Sequence, residues 1–509
     1  MRKVIQLQRK LGQIDISKIE FDLRCRDEIP KILIGLQRIY CDREIREKVF
    51  NILEELIPAN IDPDNGRPGM DLWKILVLGC VRLICNWNYD KLHDIANNHK
   101  KIREMLGHGI MDKEECSGYS LQALKDNVSL FTPEILDRIN MIVVQCGHSF
   151  VRGKKKEEFQ LNGKCDSFVL ETNVHYPTDL NLLFDAFRKA ITLISQLCGE
   201  LGIPGWRNSS DNIRKVKKLF HKTRNLRRSN SKDKVRIAKK EELIKQAHEA
   251  YIFLVESYLD RVEYNLLEVK VKGDFLGDKI LELERYMDHA YRQIDQIRRR
   301  VISGELIPHH EKVFSIFEEY TEWINKGKAG VSQELGLRVC ILEDQYGFVL
   351  HSRVMEKETD DKAAVPMVAE TKQKYPNLRS CSFDKGFYSP GNKRRLGELL
   401  EFVILPKKGK LSKSDKRIEY SEEFLVGRRK HSGVESAINS LENHGLDRCP
   451  DHGIYGFKKY VSLAVLARNI EKLGSLIRKQ EIKSLKRKAR REKRKLVRGG
   501  VGLEKLKAA

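Results

Sequence analysis

The sequence predicts an α/β protein: a mixed-sheet core with a long helical insertion, preceded by an all-α N-terminal domain and followed by a basic tail. Three observations predict it. Residues 1–150 carry apolar side chains at helical spacing. Runs rich in β-formers begin near residue 158 and return at 335–356, 378–383 and 401–406, with helical stretches between them. Between the first and second of these runs, 236–302 repeats apolar residues at intervals of three and four. The boundaries expected are 1–150, 155–200 and 306–479 for the two parts of the core and its leader, 201–305 for the insertion, and 480–509 for the tail.

In the N-terminal region, "REIREKVFNILEEL" (43–56) places its apolar residues on one helix face. Asp71 closes the turn "NGRPGMD" (65–71) and caps the apolar run "LWKILVLGCVRLICNW" (72–87). That run is too short to cross a bilayer and carries Lys74 and Arg82, so it predicts a buried helix and no membrane segment. The polar stretch "NYDKLHDIANNHKKIREMLG" (88–107) follows and closes at Gly107. Its Asn97, Asn98, His99, Lys100 and Lys101 suit two readings equally: a DNA-binding helix-turn-helix, or an ordinary bundle with a solvated face.

The segment "EFQLNGKCDSFVLETNVHYPTD" (158–179) reads as one or two strands, and "DLNLLFDAFRKAITLISQLCGEL" (179–201) as an amphipathic helix. A linker with Gly202, Pro204 and Gly205 leads to a basic cluster (214–240). The repeat from Ile244 to Leu266, a break at "KGDFLGDK", and the repeat from Ile280 to Val301 predict a long helical hairpin, structural or used for dimerisation or DNA contact. A β-hairpin turning at "EDQYG", a helix near 361–375, the strand ending at Asp384, a helix (391–400), the strand "EFVILP" (401–406) and helices at 432–444 and 453–479 complete the order.

The 95 Lys and Arg exceed the 72 Asp and Glu, for a formal charge of +23. Much of the excess lies in the cluster at 214–240 and in "KSLKRKARREKRKLVRGG" (483–500), which suits a polyanion bound through phosphates without base reading. Eleven scattered cysteines with no CxxC pair point to reduced thiols and, with no signal peptide, to the cytoplasm. Cys449 and His452 have ligand-like spacing but no second pair, and are read as structural.

Three acidic positions stand out: Asp166 on the first strand, Asp384 ending a later one, and Glu435 near the start of a helix whose buried side is Val434, Ile438 and Leu441. Each alone has a plain structural use, as a turn cap, a partner for Lys385 or a bond to first-turn amides. Together they match the hard oxygen ligands that hold two Mg²⁺ ions about 3.5–4 Å apart in phosphoryl chemistry, with Mn²⁺ as a substitute. Arg428, Arg429, Lys430 and His431 beside the glutamate, and Lys407, Lys408 and Lys410 after "VILP", are candidates to grip the flanking phosphates.

The chain resembles DDE transposases of bacterial insertion sequences, the ISNCY-like group in particular, over nearly its whole length. The resemblance rests on "GRPGMDLWKILVLGCVRL", "DKLHDIANNHKKIREMLG", "CDSFVLETNVHYPTDLNLL", "HHEKVFSIFEEYTEWINKGKAG", "SFDKGFYSP", "HSGVESAINSLENHGLDR" and "VLARNI". It implies an RNase H-like catalytic core in which Asp166, Asp384 and Glu435 bind the metal ions. It implies cutting of element ends by metal-activated water and attack of the freed 3′-OH on target DNA, with no covalent protein–DNA intermediate. Terminal inverted repeats bound by the N-terminal helices, through residues such as Lys100 and Lys101, and a homodimer joining two ends are further implications. The pattern departs from many relatives at two places: the Arg and Lys of their glutamate helix are His431 and Glu442 here, and the large insertion precedes the hairpin and not the glutamate helix. The competing reading is a catalytically silent DNA-binding derivative, a repressor or domesticated form.

Overall fold

The computed structural model describes residues 2–5, 12–58, 69–109, 118–153, 159–226, 230, 232–325 and 333–498. Most of the turn at 65–71, parts of the 214–240 cluster, the end of 309–330 and the tail after 498 lie outside the described residues. The chain divides into two compact units, Met1–Asn173 with Gly336–Ala509, and Val174–Leu335.

The described strands, seven in all, are β1 (Leu161–Thr172), β2 (Glu322–Asn325), β3 (Gln333–Glu343), β4 (Val349–Met355), β5 (Leu378–Phe383), β6 (Phe402–Ile404) and β7 (Arg448–Cys449). They form a mixed, open sheet in a predominantly helical protein, as the α/β expectation requires. In the first unit the order runs β4-β3-β1-β5-β6. β1 is central: it pairs antiparallel with β3 and parallel with β5, and β6 continues parallel to β5. The stretch expected to give one or two strands is therefore a single 12-residue strand. β3 and β4 form the expected hairpin, with Gly347 at φ +85° in its turn. Only a residue without a Cβ adopts that left-handed conformation cheaply.

Helices cover the sheet in the first unit. Asp360–Lys374 packs on β4 and β5, Glu422–His431 on β5 and β6, and Gly433–Leu441 on β1. The N-terminal helices do not stand apart from this unit. Glu28–Cys41 and Pro133–Arg152 pack along the long helix Gly453–Arg498. The first crossing is backbone on backbone: a Cβ on Gly474 would lie 1.9 Å from the Lys31 carbonyl oxygen, and one on Gly35 2.2 Å from that of Ile470. Asn469, fully buried in the "VLARNI" segment, accepts from the Val349 amide at 2.9 Å and donates to the Val349 carbonyl at 2.8 Å. It thereby satisfies backbone groups of β4 that would be costly to bury alone.

The predicted hairpin is present as Lys234–Lys272 and Gly277–Ile297. It is joined by Asp179–Glu200 and Ser209–Asn225, and one core containing Phe187, Ile194, Leu259, Val262, Leu283 and Ile294 unites all four helices. The insertion is thus a four-helix unit that begins before residue 201. The C-terminal helix runs on past the expected end at 479 to Arg498, and among the described side chains Lys479–Arg494 is solvent-exposed almost throughout. Lys, Arg, Glu and Leu are strong helix formers, which carries the helix out of the core. No described helix is long and apolar enough to cross a membrane.

Candidate functional site

The sheet register brings the two aspartates together. Cys165 on β1 faces Phe383, the last residue of β5, in the parallel ladder, so Asp166 on β1 and Asp384 just past the end of β5 are the next residues along the two chains. Neighbouring strands lie about 4.8 Å apart, and equal positions in a parallel pair share a face. Two positions earlier on that face stand Lys164 and Ser382. β5 ends at Phe383, so Asp384 sits exposed where the chain leaves the sheet, and Lys385 beside it is exposed as well. The expense of a carboxylate on a buried strand is therefore avoided at Asp384 and falls on Asp166, which is only partly exposed.

Glu435 lies on Gly433–Leu441, whose Val434, Ala437 and Leu441 are buried while Glu435 is exposed. A Cβ on Gly433 would sit 3.0 Å from the Lys164 ammonium, which fixes this helix start beside the same sheet face. The electrostatics agree with the geometry. The Asp166 carboxyl is pushed up to about 6, first by burial and then by the negative charges of Asp384, Asp360 and Glu435; the Ser167 amide, donating to it at 2.8 Å, pulls it back. Carboxylates that repel in this way suit a cation among them.

Asp360 is the acidic neighbour of Asp166 that sequence reasoning missed. It opens the helix Asp360–Lys374, accepts from the Ser167 hydroxyl at 2.6 Å, and would meet a Cβ on Gly386 at 3.0 Å. An acidic pair at a helix start reads as a response to the helix dipole, so nothing local distinguished it.

The basic groups divide. Lys164 is held by buried Glu343 at 2.6 Å, with Arg468 3.6 Å from the same carboxylate. His431 meets the Ser382 hydroxyl at 3.0 Å. Burial holds its imidazole below the ordinary range, with Lys164 acting the same way and Asp384 and Glu435 acting against it. Arg428, Arg429 and Lys430 are exposed on the last turn of Glu422–His431. Lys408 donates to the Gly386 carbonyl at 3.1 Å, beside Asp384, whereas Lys407 is bound to Asp415 at 2.6 Å. A cavity of about 890 Å³ opens on the same face, bordered by Lys164, Ser382, Ile404, Gly427 and Lys430.

Lys100 and Lys101 are elsewhere. They begin the six-residue helix Lys100–Met105, which follows Tyr89–Asn98 after a break at His99. Asn97 is bonded to the backbone of Tyr119 in both directions, Asn98 to Asp94, and Lys101 to Glu104, while Lys100 is exposed. Glu442 begins the irregular turn Glu442–Leu446.

Among the described residues, no group of three or more His, Cys, Asp or Glu side chains is closed around a point where a metal ion would sit. The donor chemistry, all carboxylate oxygen on strands and helix starts, fits a hard divalent cation better than a soft one. Comparison with known proteins returns no matching family model, no matching curated protein and no matching solved structure.

Proposed function

We propose that the chain is a DDE-type transposase that cuts insertion-sequence ends by metal-dependent phosphodiester hydrolysis and transfers the 3′-OH ends to target DNA. The observation that carries the reading is the placing of Asp166 and Asp384 in register at the ends of adjacent strands, near enough for the charges of Asp384 and Glu435 to add to the burial that lifts the Asp166 carboxyl to about 6. The strand order β4-β3-β1-β5-β6, antiparallel in its first half and parallel in its second, supports an RNase H-like core.

In this reading Asp166, Asp384 and Glu435 hold two Mg²⁺ or Mn²⁺ ions, with Asp360 beside them. A metal pair of that kind supplies a deprotonated water and stabilises the leaving oxygen. The remaining roles belong to the chain. Arg428, Arg429 and Lys430 bind the phosphates flanking the cut, and Lys408 does so from the Asp384 side. Neutral His431, bonded to Ser382, orients without adding charge, in the place where many relatives carry Arg. The exposed basic end of the C-terminal helix binds DNA backbone without reading bases. Two ends are processed by a homodimer.

A second reading keeps the DNA binding and drops the chemistry; the carboxylates not closed on one point favour it. DNA ending in the element's own flanking repeats separates the two. The transposase reading expects Mg²⁺-dependent cut and joined products, abolished by EDTA and by Asp384→Ala, with end binding retained in the variant. Tight end binding with no product under any divalent metal supports the silent derivative.

A further inference from the structure

Lys164 stands two residues before Asp166 on β1, on the same face and about 6.6 Å back along the strand. Its ammonium donates at 2.6 Å to Glu343, the buried carboxylate paired with it on β3. Two further cations approach that carboxylate. Arg468 lies 3.6 Å from it, and a Cβ on Gly347 would meet the Lys472 ammonium at 2.5 Å and Glu343 at 3.5 Å. One carboxylate among three cations leaves positive charge unmatched around it. Of the three, Lys164 is the one that borders the cavity of about 890 Å³.

The same ammonium is held against the helix of Glu435. A Cβ on Gly433, the first residue of that helix, would lie 3.0 Å from it. A helix start disfavours a cation, because its first amides carry the positive end of the helix dipole. Glu343 holds Lys164 there against that repulsion, and glycine at 433 leaves it room. Across the ladder Lys164 pairs with Ser382, whose hydroxyl meets His431 at 3.0 Å. Among the described residues Glu343 is the one hydrogen-bond partner of Lys164, so two of the three donors of the ammonium remain. A cation kept where the local dipole opposes it, with donors to spare and open space before it, suits an anionic ligand.

We infer that Lys164 binds the DNA phosphate next to the one that is cut, from the floor of the sheet, and that the strand continues from there into the cavity. Lys430 borders the same cavity, so a backbone entering it meets a second cation. Phe402, Ile404 and Val426 supply an apolar wall for the sugar and base of that nucleotide. The inference rests on the DNA-processing reading, but its test reads binding and not cleavage.

The probe is DNA ending in the element's flanking repeats, bound by the full chain in EDTA, with each terminal phosphate replaced in turn by an uncharged methylphosphonate. At one phosphate beside the cut, the replacement is expected to weaken wild-type binding about tenfold. Lys164→Met is expected to lose about tenfold on unmodified DNA and nothing more at that position, while Lys164→Arg keeps the sensitivity. Lys164→Met with Glu343→Leu removes both charges, so that an unpaired buried Glu343 does not weaken the fold, and is expected to match Lys164→Met. Wild type and the double variant equally sensitive at every phosphate overturns the inference. Ends bound by wild type, with no product under any divalent metal, would sink the DNA-processing reading alone; ends that wild type does not bind overturn both.

Discussion

Replacing Asp166 by Asn should stabilise the folded chain while removing a ligand of the proposed site. An unperturbed aspartate titrates near about 3.9, and in the fold Asp166 is raised to about 6. A raised carboxyl favours its protonated form, so the folded state carries no penalty below about pH 4, a growing one up to about 6, and the full one above. About two pH units correspond to at most about 3 kcal/mol. Asn has no charge to desolvate or repel, and its carbonyl keeps the acceptor for the Ser167 amide. Urea unfolding at pH 7.5 should therefore show Asp166→Asn more stable by up to about 3 kcal/mol, and at pH 4 equal to wild type. Mg²⁺ should narrow the gap at pH 7.5 by stabilising wild type alone, since a ligand that binds only the native state stabilises it. A variant destabilised at both pH values, or a gap independent of pH, would refute the claim that Asp166 is strained by burial and its acidic neighbours.

Other consequences are checked by simpler comparisons. Gly474→Ala puts a methyl onto the Lys31 carbonyl and should cost about 1–3 kcal/mol or more in chemical denaturation. Glu343→Ala leaves Lys164 and Arg468 facing a buried void and should cost about 3–5 kcal/mol; Glu343→Gln, keeping an acceptor, should cost less. Truncation after Gln480 removes Lys483, Lys486, Arg487, Lys488, Arg490, Arg491, Lys493 and Arg494, all exposed. DNA affinity should fall and the slope of log K against log salt should flatten, with no change in melting temperature.

Much of this was legible in the sequence because the signals were local. The strand around Asp166, the turn before Phe348 and the apolar repeats from Ile244 to Val301 each declare themselves by period or by turn chemistry. What was not legible depends on distant chain segments meeting. Asp360 joins the acidic group only through the Ser167 bond, 193 positions away in the chain. The Gly35–Gly474 crossing merges the N-terminal helices with the C-terminal one, and neither glycine announces its partner. Lys407 looked like a phosphate ligand, but Asp415 holds it. The helices Lys413–Glu419 and Glu422–His431 were not anticipated, since the first buries only Asp415 and the second only Phe424, too little to give an apolar period.

The central claim is that Asp166, Asp384 and Glu435 form a site for two hard divalent cations. Titration of the full chain with Mn²⁺, followed by electron paramagnetic resonance, tests it without needing any DNA sequence. The account predicts two ions bound per chain and magnetically coupled to each other, with Asp384→Ala and Glu435→Ala each losing the coupling. Mn²⁺ binding that is absent, or that survives both substitutions unchanged, would contradict it.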